Sequence, residues 1–124
     1  MISKMSNIIN STITRDNFFN DVLANNEGLV ILKFGAEWCR PCKLCKKQVY
    51  SYFNNMPENV TCYDVDVDDS FDLYAFLKSK RMINGIPVIL AYKKGNTSFA
   101  PDMSVTGANA ESITKFFTDC TNLL

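Results

Sequence analysis

Two cysteines separated by two residues carry the clearest chemical signal in this sequence. Cys39 and Cys42 lie in the segment A-E-W-C-R-P-C-K, residues 36–43, where an apolar run of strand length passes into a helical pattern. Thiols at this spacing can form a local, reversible disulfide. At the start of a helix, backbone N–H groups and the positive end of the helix dipole favour the thiolate of Cys39. The segment is therefore expected to hold a redox-active dithiol.

The same local geometry predicts different roles for the two thiols. Cys39 is expected to be exposed, whereas Cys42 falls one turn inside the helix, where shielding makes it a poor first nucleophile. Pro41 suits the first helical turn, because its missing N–H would have no helical partner there. We predict that Cys39 is the attacking thiol and that Cys42 is the resolving thiol.

The remaining cysteines leave one alternative for this pair, half of a zinc site. Cys45 extends the run to C-x-x-C-x-x-C, and Cys62 or Cys120 is a possible fourth ligand. Structural zinc sites usually take two cysteine pairs from separate knuckles, and the chain has no second C-x-x-C apart from this run. It also has no histidine, which excludes Cys–His couples and His-containing metal sites. We therefore interpret the three further cysteines as buried thiols and expect no metal and no cofactor.

The elements that must position the pair alternate along the chain. Strand patterns cover residues 8–13, 29–34, 60–67, 87–92 and 97–100. Helical patterns follow Thr14 and Ser70, which are candidate caps, and also follow the cysteine pair and Gly107. The predicted apolar faces include Leu44 in the second helix and Leu124 in the last. The order β-α-β-α-β-α-β-β-α predicts an α/β fold, a mixed central sheet with helices on both faces.

Length and composition fit a single domain over residues 1–124. The chain is 47% hydrophobic, enough for one core of useful size. Its 13 basic and 13 acidic side chains cancel, so the overall charge does not point to nucleic acid or to an anionic membrane. It contains no apolar run of transmembrane length, and residues 1–10 lack the pattern of a signal peptide. A cytoplasmic monomer is expected.

The segment W-C-R-P-C-K, residues 38–43, resembles the W-C-G-P-C-K signature of thioredoxins. The preceding apolar run and loop, residues 29–38, resemble the central strand and active-site loop of that family. G-I-P at residues 85–87 resembles its G-I-P segment, and Gly107 matches a later family glycine. The likeness extends from about residue 8 to the end of the chain. It implies the thioredoxin fold and a thiol-disulfide oxidoreductase.

The resemblance also implies how a substrate would bind. By analogy, the Ile86–Pro87 peptide bond should be cis, with its backbone facing the cysteines and pairing with an extended substrate segment. Gly107 belongs to the same expected substrate-binding surface. Trp38 should pack beside the dithiol and form part of the partner-facing surface, the alternative being a structural aromatic that shields the loop.

The sequence departs from the family pattern near the motif. Arg40 replaces the usual glycine, and a cation beside Cys39 should favour its thiolate and make the couple more oxidising. Lys33 occupies the position of a buried aspartate thought to help deprotonate the resolving thiol. It should act as a neutral amine base or keep its charge by pairing with a thiolate or carboxylate; alternatively, its stem extends to the edge of the site. Lys47 stands where the family often has proline, and the stretch between residues 66 and 87 is longer than usual.

Charged side chains surround the motif. The cations near it, called the basic rim below, are Arg40, Lys43, Lys46 and Lys47. A set of aspartates elsewhere in the sequence comprises Asp64, Asp66, Asp68, Asp69 and Asp72. Either these are two solvated faces, or the basic rim steers acidic protein partners to Cys39.

The predicted function is reduction of protein disulfides through the Cys39/Cys42 couple, with electron transport from a thioredoxin reductase that recycles the oxidised protein. A first alternative is a more oxidising oxidase or isomerase that uses the same residues. A second is a redox-silent binding or assembly module that docks partners through Trp38 and the Pro87 loop.

Overall fold

The computed structural model describes residues 8–124, which form a five-stranded sheet with helices packed against it. In chain order the elements are β1 (Ile8–Ile9), α1 (Arg15–Asn17), a π-helical continuation of α1 (Phe18–Leu23), β2 (Leu29–Gly35), α2 (Arg40–Asn54), β3 (Val60–Asp66), α3 (Phe71–Ser79), β4 (Val88–Lys93), β5 (Met103–Thr106) and α4 (Ala110–Thr121). The predicted order of strands and helices is confirmed. Within this part of the chain, no helix has the length and apolar character needed to cross a bilayer.

β2 is the central strand of the sheet. The strand order is β1-β3-β2-β4-β5, with β1 and β2 parallel to β3 and with β4 antiparallel to β2 and β5. All seven residues of β2 are buried, as expected for a strand covered on both faces. In the register of the sheet, Lys33 lies between Asp64 on β3 and Ile89 on β4. The mixed sheet is confirmed, and it places Lys33 in its interior.

Apolar side chains cover both faces of the sheet. On one face, Leu32 packs in a cluster with Phe18 of the π-helical segment and Leu73 of α3. On the other face, Ile31 belongs to a cluster with Val49 of α2 and Phe117 of α4. Successive strand residues point to opposite faces, so these neighbours belong to different layers. The predicted helices on both faces are confirmed, and α2, which follows the cysteine pair, belongs to the second layer.

The strand predicted at residues 97–100 is wrong, because the connection between β4 and β5 is longer than a short hairpin turn. Asn96 donates its side-chain N–H to the carbonyl oxygen of Ala100. Asp102 accepts the backbone N–H of Lys93 through Oδ2. These polar side chains satisfy backbone groups locally, which stabilises an irregular connection in place of a strand.

Two leucines lie outside the buried helix faces predicted for them. Leu44 is 67% exposed. The buried residues of α2 are instead Cys42, Cys45, Val49 and Phe53. Leu124 is exposed because α4 ends at Thr121. The predicted apolar periodicity therefore fails at Leu44, at the border of the buried face of α2, and at Leu124, beyond the end of α4.

The two predicted helix caps behave differently. The Thr14 side chain accepts the backbone N–H of Asn17, so its predicted capping role is confirmed. Ser70 stands at the cap position of α3, but its hydroxyl accepts the N–H of Ile13 instead. β1 ends at Ile9, earlier than predicted, because the chain after it is bonded to the start of α3 and not to the sheet.

Candidate active site

The cysteine pair lies at the N-terminus of α2. Cys39 and Cys42 are joined by a disulfide, with their Cα atoms 5.3 Å apart. Cys39 is the N-cap residue of α2, and its Sγ accepts the backbone N–H of Cys42 at 3.3 Å. Pro41 lies in the first turn. The predictions that the helix begins at the pair and that Pro41 fits its first turn are confirmed.

Both cysteines are largely buried in this disulfide form. Cys39 is 6% exposed and Cys42 is 4% exposed, so the predicted shielding of Cys42 is confirmed and the predicted exposure of Cys39 is wrong. The surroundings of the two residues differ instead. Cys39 approaches the backbone of Ile86, whereas Cys42 lines an inner cavity together with Lys33. The asymmetry between the thiols therefore comes from what each one faces.

The loop before β4 approaches Cys39. The Ile86–Pro87 peptide bond is cis, and the carbonyl oxygen of Ile86 lies 3.9 Å from Cys39 Sγ. Gly107 donates its backbone N–H to the carbonyl oxygen of Pro87 at 2.8 Å. Its φ of +96° lies in the left-handed region that favours glycine. The structure thus brings Ile86, Pro87 and Gly107 together on the side of Cys39.

Trp38 lies at the surface next to the pair. Its side chain is 69% exposed, and its indole N–H donates to Asp68 Oδ2 at 2.9 Å. The backbone N–H of Asp68 in turn bonds to Oδ1 of Asp66 at the end of β3. The indole ring is therefore anchored at one edge to an aspartate-rich loop, while most of its surface remains in solvent.

Lys33 lies inside the protein, on β2. It is 3% exposed, so its stem does not extend to solvent. Its Nζ lies 3.6 Å from Oδ1 of Asp64, and Tyr50 of α2 donates its hydroxyl hydrogen to Oδ2 of the same carboxylate. Pairing with a carboxylate was one of the predicted outcomes for Lys33. Sequence patterns do not place Asp64 or Tyr50 beside Lys33, because only the β2/β3 register and the packing of α2 bring them together. The one signal in the sequence is a charged residue in each of two apolar strand patterns.

A polar cavity of about 260 Å³ extends between the disulfide and this ion pair. Its wall includes Cys42 and Lys33 together with Tyr50 and Asp64. A Cβ atom at Gly35 would lie 3.3 Å from Cys42 Sγ and 3.3 Å from Lys33 Nζ. The distance between the sulfur and the nitrogen is therefore no more than twice 3.3 Å. Glycine at position 35 therefore leaves the space between a sulfur and an ammonium group open.

The other three cysteines are buried, as predicted: Cys45, Cys62 and Cys120. Burial raises the pKa of the Cys45 thiol, an effect that Lys33 opposes. Burial, with a smaller contribution from Asp119, raises the pKa of the Cys120 thiol to about 12. Both groups are therefore protonated and unreactive at neutral pH. Within residues 8–124, no group of three or more Cys, Asp or Glu side chains has the geometry of a metal site.

The basic rim and the aspartates are not separate faces. The four cations of the rim are exposed along the first turns of α2. Lys43 and Lys46 line the same cavity as Asp66 and Asp69, so the two groups of charges meet there. Lys46 Nζ also lies 5.2 Å from the centre of the Tyr50 ring. Cations therefore extend along α2 away from the disulfide, and carboxylates lie on the opposite side of the cavity.

Comparison with known proteins decides the family. The family model for thioredoxin matches residues 10–119. The chain belongs to the thioredoxin family. Thioredoxin from Mus musculus is 32% identical over 106 residues, which cover 86% of this chain and 92% of the mouse protein. Thioredoxin from Ovis aries is 36% identical over 90 residues, which cover 70% of this chain and 74% of the sheep protein.

Solved thioredoxin structures share the fold. Thioredoxin from Malassezia sympodialis matches with a TM-score of 0.70 at 22% identity, covering 98% of this chain and 96% of that chain. Thioredoxin from Plasmodium falciparum matches with a TM-score of 0.68 at 27% identity, covering 93% of this chain and 89% of that chain. The predicted thioredoxin fold is confirmed.

Membership of the thioredoxin family and a bonded Cys-x-x-Cys pair together define the general activity. The protein is a protein-disulfide oxidoreductase of the thioredoxin type. In general terms its substrates are proteins that contain disulfides, and its partners include reductases. The redox-silent alternative is therefore not retained.

Proposed function

We propose that the protein reduces disulfides in partner proteins, with Cys39 as the attacking thiol and Cys42 as the resolving thiol. The Cys39 thiolate attacks one sulfur of the target, a mixed disulfide forms, and the other target sulfur leaves as a thiolate that takes a proton from water. The Cys42 thiolate then attacks Cys39 Sγ, the Cys39–Cys42 bond forms, and the second target sulfur leaves. The target gains two electrons and two protons, and a thioredoxin reductase returns the oxidised pair to the dithiol.

The position of Cys39 Sγ is the observation that carries this proposal. The sulfur accepts the N–H of Cys42 at the N-terminus of α2, where a helix dipole stabilises an anion. On its other side is the carbonyl group of Ile86. The backbone at residues 86–87 would offer hydrogen bonds to an extended target segment and so align a target sulfur with Cys39. Exposed Trp38 adds aromatic contact area for the same partner.

A more oxidising role, as an oxidase or isomerase, is the second candidate. Arg40 follows Cys39 at the start of α2, and buried Lys33 approaches Cys42. Each cation stabilises a thiolate of the reduced form and therefore raises the reduction potential of the couple. Arg40 is exposed, so solvent screens its contribution more than that of Lys33.

Acidic protein partners and a reducing compartment such as the cytoplasm complete the proposal. The basic rim extends along α2 from the disulfide, and exposed Leu44 lies among its cations. A partner with carboxylates beside its disulfide would be steered toward Cys39 by this charge. Cys45 and Cys120 are buried thiols outside the active site, which fits a compartment that keeps thiols reduced.

Insulin reduction and the reduction potential test the direction of electron flow. We expect turbidity from precipitating insulin chains that requires both NADPH and a thioredoxin reductase, and that Cys39→Ser abolishes. Equilibration with glutathione buffers should give a potential nearer to about −270 mV, typical of thioredoxin, than to about −120 mV, typical of a strong oxidant. A potential near the oxidant value, with no turnover by the reductase, would establish the second candidate instead.

The basic rim is tested with two disulfide-linked peptides that differ only in acidic or neutral residues beside the disulfide. The variant Lys43→Glu/Lys46→Glu should lose about tenfold in kcat/KM for the acidic peptide and little for the neutral one. Salt should weaken the wild-type preference. Lys94→Glu is the matched control, because Lys94 bonds to Gly28 at the far end of β2 from the cysteines. Equal losses for both peptides would show that the rim does not select acidic partners.

A further inference from the structure

Lys33 is the only buried residue with a charged side chain in the part of the chain that the structure describes. A charge without partners inside a protein is costly, so its retention calls for an explanation. Lys33 is two residues after Ile31 and shares its face of β2, the face that packs against α2. The ammonium group is therefore directed toward α2, the helix whose first turn contains Cys42.

Two groups from neighbouring elements surround this ammonium group. Asp64 is the residue beside Lys33 in the register of β3, and its carboxylate has one oxygen toward Lys33 and the other toward the hydroxyl of Tyr50. Burial and the neighbouring Asp64 raise the pKa of Tyr50 above its ordinary value. Tyr50 is thus a hydrogen-bond donor throughout the working pH range, and it orients the carboxylate from α2.

The ammonium group also approaches the disulfide. Because a Cβ atom on Gly35 would lie 3.3 Å from Lys33 Nζ and also 3.3 Å from Cys42 Sγ, the nitrogen and sulfur are close enough for a substantial Coulomb interaction. Both atoms belong to residues that line the same polar cavity. No side chain at position 35 separates them.

We propose that Lys33, oriented by Asp64 and Tyr50, stabilises the thiolate of Cys42 in the resolving step. This inference rests on the proposed assignment of Cys42 as the resolving thiol. Lys33 is a positioning residue that acts through its charge. Asp64 sets the strength of the effect, because its negative charge partly cancels that of Lys33.

In the proposed step, Cys42 loses its proton to water, and the ammonium group of Lys33 stabilises the resulting thiolate. It attacks Cys39 Sγ of the mixed disulfide, the Cys39–Cys42 bond forms, and the bond from Cys39 to the target breaks. The target sulfur leaves with the electron pair and takes a proton from water. Lys33 keeps its proton throughout.

Other charges face the same cavity and contribute to its pH response. They come from the active-site loop, α2, the end of β3 and the turn before α3: Glu37, Lys43, Lys46, Asp66 and Asp69. Lys33 and Asp64 are distinguished from these by their burial, since the side chain of Lys33 is 4% exposed and that of Asp64 is 17% exposed. Solvent therefore screens their field at Cys42 least.

Ellman's reagent separates the two steps in a stopped-flow experiment on the reduced protein. Mixed-disulfide formation releases one coloured thiolate at a rate that depends on reagent concentration, and resolution by Cys42 releases a second at a rate that does not. In Lys33→Met/Asp64→Asn, which removes both charges, resolution should slow by about threefold to tenfold at neutral pH and its pH midpoint should rise. Formation should change little. Lys33→Arg, which keeps a cation, should resolve at close to the wild-type rate.

Asp64→Asn alone is expected to change the resolving rate in the opposite direction. It removes the charge that partly cancels Lys33, so resolution should become faster below the midpoint and the midpoint should fall. A merely structural role for the pair would slow resolution in both variants. Lys94→Met, which removes an exposed cation beyond the end of β2 that lies away from the cysteines, is the control and should leave both steps unchanged.

The outcomes separate the two hypotheses. Equal resolving rates in all variants, slowing by Asp64→Asn, or a Lys33→Arg protein that folds but resolves as slowly as the uncharged variant would each overturn the inference. If the double variant does not fold, Asp64→Asn and Lys33→Arg still show whether positive charge at position 33 speeds the resolving step. Failure of the cysteine assignment has another signature: Cys42→Ser would lose the first, reagent-dependent release if Cys42 were the attacking thiol, and would keep the second release if another thiol were the resolving one.

Discussion

Cys42 donates its backbone N–H to Sγ of Cys39 at 3.3 Å, so the sulfur proposed to react is also the cap of α2. We expect the same donor to remain beside this sulfur in the mixed disulfide and in the dithiol. A hydrogen bond to a thiolate is charge-assisted and therefore stronger than one to a neutral sulfur. Cys39 Sγ thus caps α2 and is also the atom that begins the proposed reaction.

The first prediction concerns the order of the two thiols. Cys39→Ser should abolish reduction of protein disulfides, whereas Cys42→Ser should still form mixed disulfides on Cys39 that accumulate, because only the resolving step is lost. Non-reducing electrophoresis and mass spectrometry of trapped partners measure this. Partners trapped by Cys39→Ser and not by Cys42→Ser would reverse the assignment.

The second prediction concerns Arg40. Arg40→Gly should lower the reduction potential, because it removes a cation that stabilises the reduced, thiolate-containing form. Arg40 is exposed, so the effect should shrink as the ionic strength rises. Redox titration against glutathione at low and high salt measures both. An unchanged potential at low salt would mean that Arg40 matters only for contacts with partners.

The third prediction concerns Trp38 as a partner contact. Trp38→Ala should lower kcat/KM for a protein disulfide by about tenfold, as loss of an aromatic anchor typically does, with little change in thermal stability. Trp38→Phe keeps an aromatic ring but loses the hydrogen bond to Asp68, so its kcat/KM should lie between those of the wild type and Trp38→Ala. Phe71→Ala, at another exposed aromatic, is the control. Equal activity of Trp38→Ala and wild type would make Trp38 a structural residue of its loop.

The fourth prediction concerns the Lys33–Asp64 pair and stability. Lys33→Asp would place two carboxylates side by side in the sheet, so it should lower the free energy of unfolding by about 3 kcal/mol. The double variant Lys33→Asp/Asp64→Lys keeps an ion pair with its signs exchanged, so it should be more stable than Lys33→Asp alone. Urea unfolding of both variants tests this. Equal stability of the single and double variants would contradict it.

The fifth prediction concerns alkaline stability. Cys120 has a pKa of about 12 in the folded protein, above its ordinary value of 9.0, mainly because it is buried. The unfolded chain therefore loses this proton first, and the stabilisation present below about pH 9 is lost as the pH rises toward 12. Under reducing conditions, Cys120→Ala should flatten the fall in unfolding free energy between pH 9 and 10, by up to about 1.4 kcal/mol per pH unit. An unchanged slope would show that Cys120 already ionises in the folded state.

Local sequence determined the active-site motif and most of the elements. The spacing of Cys39 and Cys42 at a helix start, the proline in its first turn and the apolar run of β2 are short-range features, so their consequences can be predicted from neighbouring residues. Strand and helix order also followed from periodicity. Predictions failed where polar side chains replaced regular structure, as in the β4–β5 connection held by Asn96 and Asp102.

Tertiary structure alone decided what each thiol faces. Cys39 lies beside Ile86, which is 47 residues away in sequence, and Asp64 meets Lys33 only because β2 and β3 pair in one particular register. Tyr50 joins them because α2 packs on that face of the sheet. A shift of one residue in the β2/β3 register would move every side chain of one strand to the other face, so no local pattern determines such a pair. Strand pairing therefore decides which groups surround the Lys33 charge that we propose to act on Cys42. The spacing of the two cysteines, in contrast, can be read from the sequence alone.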